Sequence, residues 1–239
     1  MIWLGIETAN APLSVAVVKD GKVVAEVVQN IKLTHSVGAM PAVEEVMKKA
    51  GVTPAELDAI AVSEGPGSYT GVRIGVTLAK TLAWSLQKPL VGVSSLKVLA
   101  VNARVSSDAV CALFDARRQN VYAGVYEGLT QETVIEDYHD HIDGLLTKLD
   151  ALNRPVLFVG ADVDVYFEKI KEVLGDRAVR ASFTLDLPRA TELIALAQGQ
   201  ELPSVDAVHA FVPQYRRIAE AEANWIKEQK RSSSNGTVS

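Results

Sequence analysis

The chain has 239 residues and a mass of 25.7 kDa, enough for one or two domains with a core that needs no metal or disulfide staple. Hydrophobic residues make up 48% and charged residues 22%, which excludes wholesale disorder, and no run approaches the roughly 20 apolar residues of a spanning helix. Net charge is −5, divided between residues 1–105 (10 Lys/Arg against 8 Asp/Glu) and the rest (14 against 21), which excludes a chain that grips a polyanion by bulk charge alone. Cys111 is the lone cysteine, and Glu7 interrupts the first apolar run with no basic region before it. The expectation is a cytoplasmic protein with no signal peptide and no membrane association.

In chain order, residues 2–7 read as a strand, followed by a hairpin of Ser14–Val18 and Lys22–Gln29 turning at Asp20-Gly21. Helical periodicity runs over 36–50 and ends at Gly51; Thr53-Pro54-Ala55-Glu56 then offers a capping box. A buried strand over Ala59–Ser63 leads into a glycine-rich loop, Glu64–Gly71, and a helix over 72–87. Leu90–Val93 is a further strand, and Ser94 caps a helix over 95–104. The second half begins again with strands at 109–114, 120–127 and 132–136, a helix, a strand at 155–160 and a helix at 162–174. Helices follow near 189–198 and 216–229, and residues 231–239 read as a disordered tail. The repeated order predicts a duplicated α/β architecture, with lobes at 1–105 and 106–230 and mixed sheets flanked by helices.

Glu64-Gly-Pro-Gly-Ser-Tyr-Thr-Gly-Val-Arg-Ile-Gly75 is the most conspicuous segment. Glycines between a strand and a helix suggest a phosphate cradle. However, Val72-Arg73 stands where a P-loop needs Lys and Ser or Thr, and Thr70 occupies the third glycine position of a dinucleotide fingerprint. A tight turn for close backbone packing ranks ahead of an anion site. In the following helix, Gly71, Gly75, Ala79 and Ala83 recur every four residues as a ridge that admits another helix. Val72 lies beside the ridge, and helix 36–50 adds Val37, Met40, Val43 and Met47. Two such helices carry more apolar surface than one sheet absorbs, so an intersubunit bundle ranks slightly ahead of a central position in one large core.

Candidate catalytic groups are few. His35, His139, His141 and His209 form no zinc pattern, the pair at 139 and 141 reads as part of a polar connection, and Gly-x-Ser-x-Gly is absent. Glu7-Thr8 and Asp115 stand at equivalent strand ends of the two copies, where acids hold metal–phosphate complexes or cap loops; the capping role ranks higher.

Gly5-Ile-Glu-Thr-Ala9, Leu33-Thr-His-Ser36, the segment 64–75, Asp115-Ala-Arg-Arg-Gln-Asn-Val-Tyr122, Pro213-Gln-Tyr-Arg216 and Trp225 together resemble the TsaB (YeaZ) family of bacterial tRNA threonylcarbamoyladenosine biosynthesis proteins, in family order to about residue 228. The resemblance implies a two-lobe actin/Hsp70/sugar-kinase-like, ribonuclease H-like fold. It also implies a non-catalytic subunit that activates a TsaD-type transferase, its paralogue, together with a TsaE-type ATPase. The group is placed on adenosine 37 of tRNAs reading codons that begin with A, and tRNA is met only through the complex. A homodimer is expected when the chain is alone. The paralogue's H-x-x-x-H metal pair has Ala39 here four residues after His35, so one ligand is missing. Glu7, Thr8, Gly65, Gly67 and Asp115 then read as the remnant of a nucleotide site, with no metal, no cofactor and no catalytic residue. An ATP- or metal-dependent enzyme on the same fold, a small-molecule kinase or glycoprotease-like peptidase, is the alternative.

Overall fold

A computed structural model describes residues 1–31 and 34–216. The helix expected at 216–229, Trp225, Leu33 and the tail at 231–239 lie outside, or almost wholly outside, those residues. The first sheet is built from β1 (Ile2–Glu7), β2 (Leu13–Lys19), β3 (Lys22–Gln29), β4 (Ala59–Gly65) and β5 (Leu90–Ser94), in the order β3-β2-β1-β4-β5. The β2–β3 turn has positive φ at both Asp20 (50°) and Gly21 (73°), the conformation that Asp-Gly selects in a two-residue hairpin. Between the strands run α1 (His35–Ala50) and α2 (Tyr69–Leu86). Gly51 closes α1 with φ 62°, its N–H bonded to the Lys48 carbonyl. The capping box at Thr53 forms, but over a single 3-10 turn, Pro54–Glu56.

The second sheet repeats the first. It comprises β6 (Ala109–Asp115), β7 (Asn120–Glu127), β8 (Thr133–His141), β9 (Val156–Val159) and β10 (Ala178–Arg180), in the order β10-β9-β6-β7-β8. In both, the first strand pairs antiparallel with the second and parallel with the fourth. The helices are α3 (Ser95–Ala100), α4 (Ile142–Ala151), α5 (Phe167–Leu174) and α6 (Ala190–Gln198).

Alternation along β1 and β2 sends Leu4, Ile6, Val15 and Val17 against α1 and α2, and sends Trp3, Ala16 and Val18 to the other face. There they meet Leu193, Ile194 and Ala197 of α6. Gly5 permits this approach, since a Cβ on it would stand 2.8 Å from the Ala190 carbonyl oxygen. On the second sheet, α4 and α5 cover one face and α3 places Leu96 and Leu99 against Val110, Ala112 and Phe114 on the other. Each repeat's third helix thus packs on the other repeat's sheet, α3 on β6 and β7 and α6 on β1 and β2. Residues 190–216, read from sequence as part of the second half, therefore return to the first. His139 and His141 lie within or at the end of β8 rather than in a connection, with His141 also capping α4 through its ring nitrogen.

Candidate functional site

The loop after β4 shows what its glycines are for. Ser68 caps α2, its hydroxyl accepting from the Gly71 N–H, and its own N–H donates to the Ala9 carbonyl at 2.7 Å. A Cβ on Gly67 would lie 2.2 Å from the Ala9 oxygen, one on Gly71 2.3 Å from the Thr8 oxygen, and one on Gly75 2.2 Å from Thr8 Oγ1. The Thr8 hydroxyl donates to the Gly71 carbonyl at 2.8 Å. Gly65, at φ 109°, faces the Gln214 carbonyl oxygen, while the Gln214 N–H donates to the Glu64 carbonyl at 2.7 Å. The Gly65–Pro66 peptide is cis. Each of these glycines seats the chain's own backbone or Thr8, the packing use that ranked first on sequence.

Glu7 is wholly buried at the end of β1. Its Oε1 accepts from the Ala9 N–H at 2.7 Å, whereas Oε2 has no hydrogen-bond partner among the described residues. Burial raises its pKa to about 7, partly offset by the Ala9 N–H and the nearby Ser63 hydroxyl, although Ser63 Oγ reaches no hydrogen-bond geometry. Asp115, at the matching end of β6, has polar partners instead. Its Oδ1 accepts from the Tyr166 hydroxyl at 2.6 Å and from the Arg117 N–H at 2.8 Å. Its own N–H donates to Asp162 Oδ2, which also accepts from Asn10 Nδ2, so Asn10 ties the first strand's loop to the second sheet. His35 bonds through Nε2 to the Asn10 carbonyl at 2.7 Å, and Ala39 is in the core. No group of three or more His, Cys, Asp or Glu side chains among the described residues is placed to hold a metal ion.

The two helices expected to meet a partner divide sharply. Val43, Met47, Gly71, Val72, Gly75, Ala79 and Ala83 are buried in the chain's own core, so the small-residue ridge is not a free surface. It faces β1 and β4, where Thr8 fills the space that a second helix would need. Only Val37 (62% exposed) and Met40 (49%) of the nine stand at the surface. They share it with residues not singled out from sequence: Tyr69 and Trp84 are exposed, and Ile74, Leu78 and Leu82 are half-buried. Along the opposite flank of α2 runs the segment 205–216, held by Lys80 Nζ donating to the Phe211 carbonyl at 2.6 Å. The Arg73 guanidinium stacks 3.9 Å over the Tyr69 ring and its Nε donates to the Tyr215 hydroxyl. The segments 64–75 and 213–216 thus form one surface. Spacing of 69, 73, 77 and 84 along one helical stripe was the signal for it; only the helix start, three residues earlier than expected, hid Tyr69.

A repeated five-stranded unit of order 3-2-1-4-5, with an acid ending the first strand of each copy, defines the two-lobe class of ribonuclease H-like proteins to which actin, Hsp70 and sugar kinases belong. The family model described as "TsaD: tRNA N6-adenosine threonylcarbamoyltransferase" matches residues 22–225. The tRNA threonylcarbamoyladenosine biosynthesis protein TsaB of Bacillus subtilis is 44% identical over 96% of this chain and 100% of its own length. Two solved Pseudomonas aeruginosa structures superpose on 90% of the chain and 99% of their own: a protein with similarity to peptidase YeaZ (TM-score 0.75, 29% identity) and YeaZ itself (TM-score 0.69, 26% identity). The chain belongs to the TsaB (YeaZ) family, within the wider family that the TsaD model describes.

Proposed function

We propose that this chain takes part in tRNA threonylcarbamoyladenosine biosynthesis as an accessory subunit that binds and activates a TsaD-type transferase, with a TsaE-type ATPase joining the pair. Its B. subtilis relative carries the biosynthetic name over its full length, and the transferase model matches most of the chain, which supports a paralogous pair. One observation carries the accessory reading. The glycine loop, where a nucleotide-using relative would open onto a phosphate, is filled by Thr8, Ala9 and Gln214, while the neighbouring helices leave Val37, Met40, Tyr69 and Trp84 at the surface.

The face formed by Val37, Met40, Ile74 and Leu78 is the docking surface in this reading, in place of the small-residue ridge. Exposed aromatic and methionine side chains suit an interface core. Glu7, Thr8, Gly65, Gly67 and Asp115 mark a nucleotide site that has been given over to packing. Docking that favours one conformation of the transferase shifts its population by the difference in affinity between the two. Sedimentation of the chain with and without the transferase tests this: the expected result is a mixed complex that displaces any self-association, and two species that sediment independently would overturn it. Titration of the isolated chain with Mg-ATP is expected to release no binding heat, and micromolar binding would revive an enzyme.

A further inference from the structure

The turn joining β6 to β7 is at odds with its own sequence. Arg117, Arg118 and Gln119 all have positive φ, at 66°, 54° and 62°. The Asn120 N–H donates to the Arg117 carbonyl, which makes Arg118 and Gln119 the central pair of a tight hairpin turn. Such turns select Asn-Gly, because side chains with a Cβ are strained in the left-handed region. Three consecutive residues of the wrong type hold that conformation here only because the surroundings dictate it. Asn120 Nδ2 donates to the carbonyls of both Arg117 and Arg118, Asp115 Oδ1 accepts the Arg117 N–H, and the Tyr166 hydroxyl braces Asp115 from behind. Strain that the surroundings enforce clusters where a side chain must be presented in a fixed way.

What this turn presents is two adjacent exposed arginines, in the half of the chain whose net charge is −7. Its base is the Asp115–Asp162 pair that Asn10 bridges, so it stands where the two sheets' strand ends approach each other. Both carboxylates are engaged by hydrogen bonds to Tyr166, Asn10 and backbone N–H groups, and the Arg117 guanidinium has no partner among the described residues. Guanidinium forks on a rigid support match phosphate oxygens. A protein too acidic to attract a polyanion at long range needs such fixed contacts at short range.

We propose that the Arg117–Arg118 turn binds backbone phosphates of the tRNA substrate within the assembled complex, so that this chain touches the RNA itself. The inference rests on the accessory reading above. Its test is fluorescence anisotropy of end-labelled tRNA titrated with the complex of this chain and the TsaD-type transferase, between about 50 and 200 mM salt. Replacing both arginines (Arg117→Ala with Arg118→Ala) is expected to weaken binding several-fold and lower the slope of log affinity against log salt by about one to two. Arg117→Gly removes a guanidinium and relieves strain, so it is expected to raise the melting temperature of the chain while still weakening tRNA binding. Unchanged affinity and slope in both variants would overturn the proposal. So would failure of the double variant to co-elute with the transferase, which would make the turn a protein contact. A wild-type complex that binds no tRNA would overturn the accessory reading as well, which separates the two failures.

Discussion

Glu7 and Gly75 show how closely single side chains are fitted around the end of β1. With its pKa raised from an ordinary 4.5 to about 7, Glu7 binds its proton more tightly folded than unfolded. Stability is therefore highest below about pH 4.5 as far as this group is concerned, falls as pH rises towards 7, and levels off above it, by a total of about 3 kcal/mol. Glu7→Gln keeps the shape and removes the charge. Urea denaturation should find it more stable than the parent at pH 8 by about 1–3 kcal/mol and nearly equal at pH 5; equal stability at both would show that Glu7 is not held protonated. Gly75→Val drives a side chain into Thr8 Oγ1, and thermal melting should register a loss of about 1–3 kcal/mol or more. The sequence told which positions carry glycine and that the loop fits no known phosphate cradle. It did not tell that Thr8 and Ala9, some sixty residues away, occupy the room, because a long-range backbone contact leaves no local pattern.

The pair α1 and α2 was legible as two apolar helices on one sheet, and their surplus of hydrophobic side chains was real. The face was not. A four-residue ridge of Gly and Ala reads equally well as a seat for a foreign helix or for a strand beneath it, and the close approach of Thr8 decides for the latter. Val37→Asp with Met40→Asp changes only exposed positions, so the variant should melt within about 0.5 kcal/mol of the parent and fail to co-elute with the transferase. Retained co-elution would move the interface elsewhere. β8 extends to His141 where polar residues suggested an end at 136, because Asp137 is buried between the hydroxyls of Ser94 and Tyr126. Short β10 was missed: three residues are too few for an alternation to show.

At the scale of the molecule, the duplication was readable from the order of strands and helices, and the crossing of α3 and α6 was not. Asp137 on β8 accepts hydrogen bonds from Ser94, at the end of β5, and from Tyr126 on β7, joining the two sheets. Burial raises the Asp137 pKa, against those two bonds. Asp137→Ala strands both hydroxyls and should cost about 1–3 kcal/mol in a single cooperative transition, since each sheet is covered by a helix from the other repeat; two separated melting steps would contradict that coupling. Among the described residues no helix is long and apolar enough to cross a membrane.

The decisive measurement is formation of threonylcarbamoyl-adenosine in tRNA from purified transferase, ATPase, tRNA and threonylcarbamoyl-adenylate, with this chain supplied or withheld. Product should accumulate only when the chain is present, and the chain with tRNA and threonylcarbamoyl-adenylate alone should yield none. Equal product without it, or product from the chain unaided, would contradict an accessory subunit.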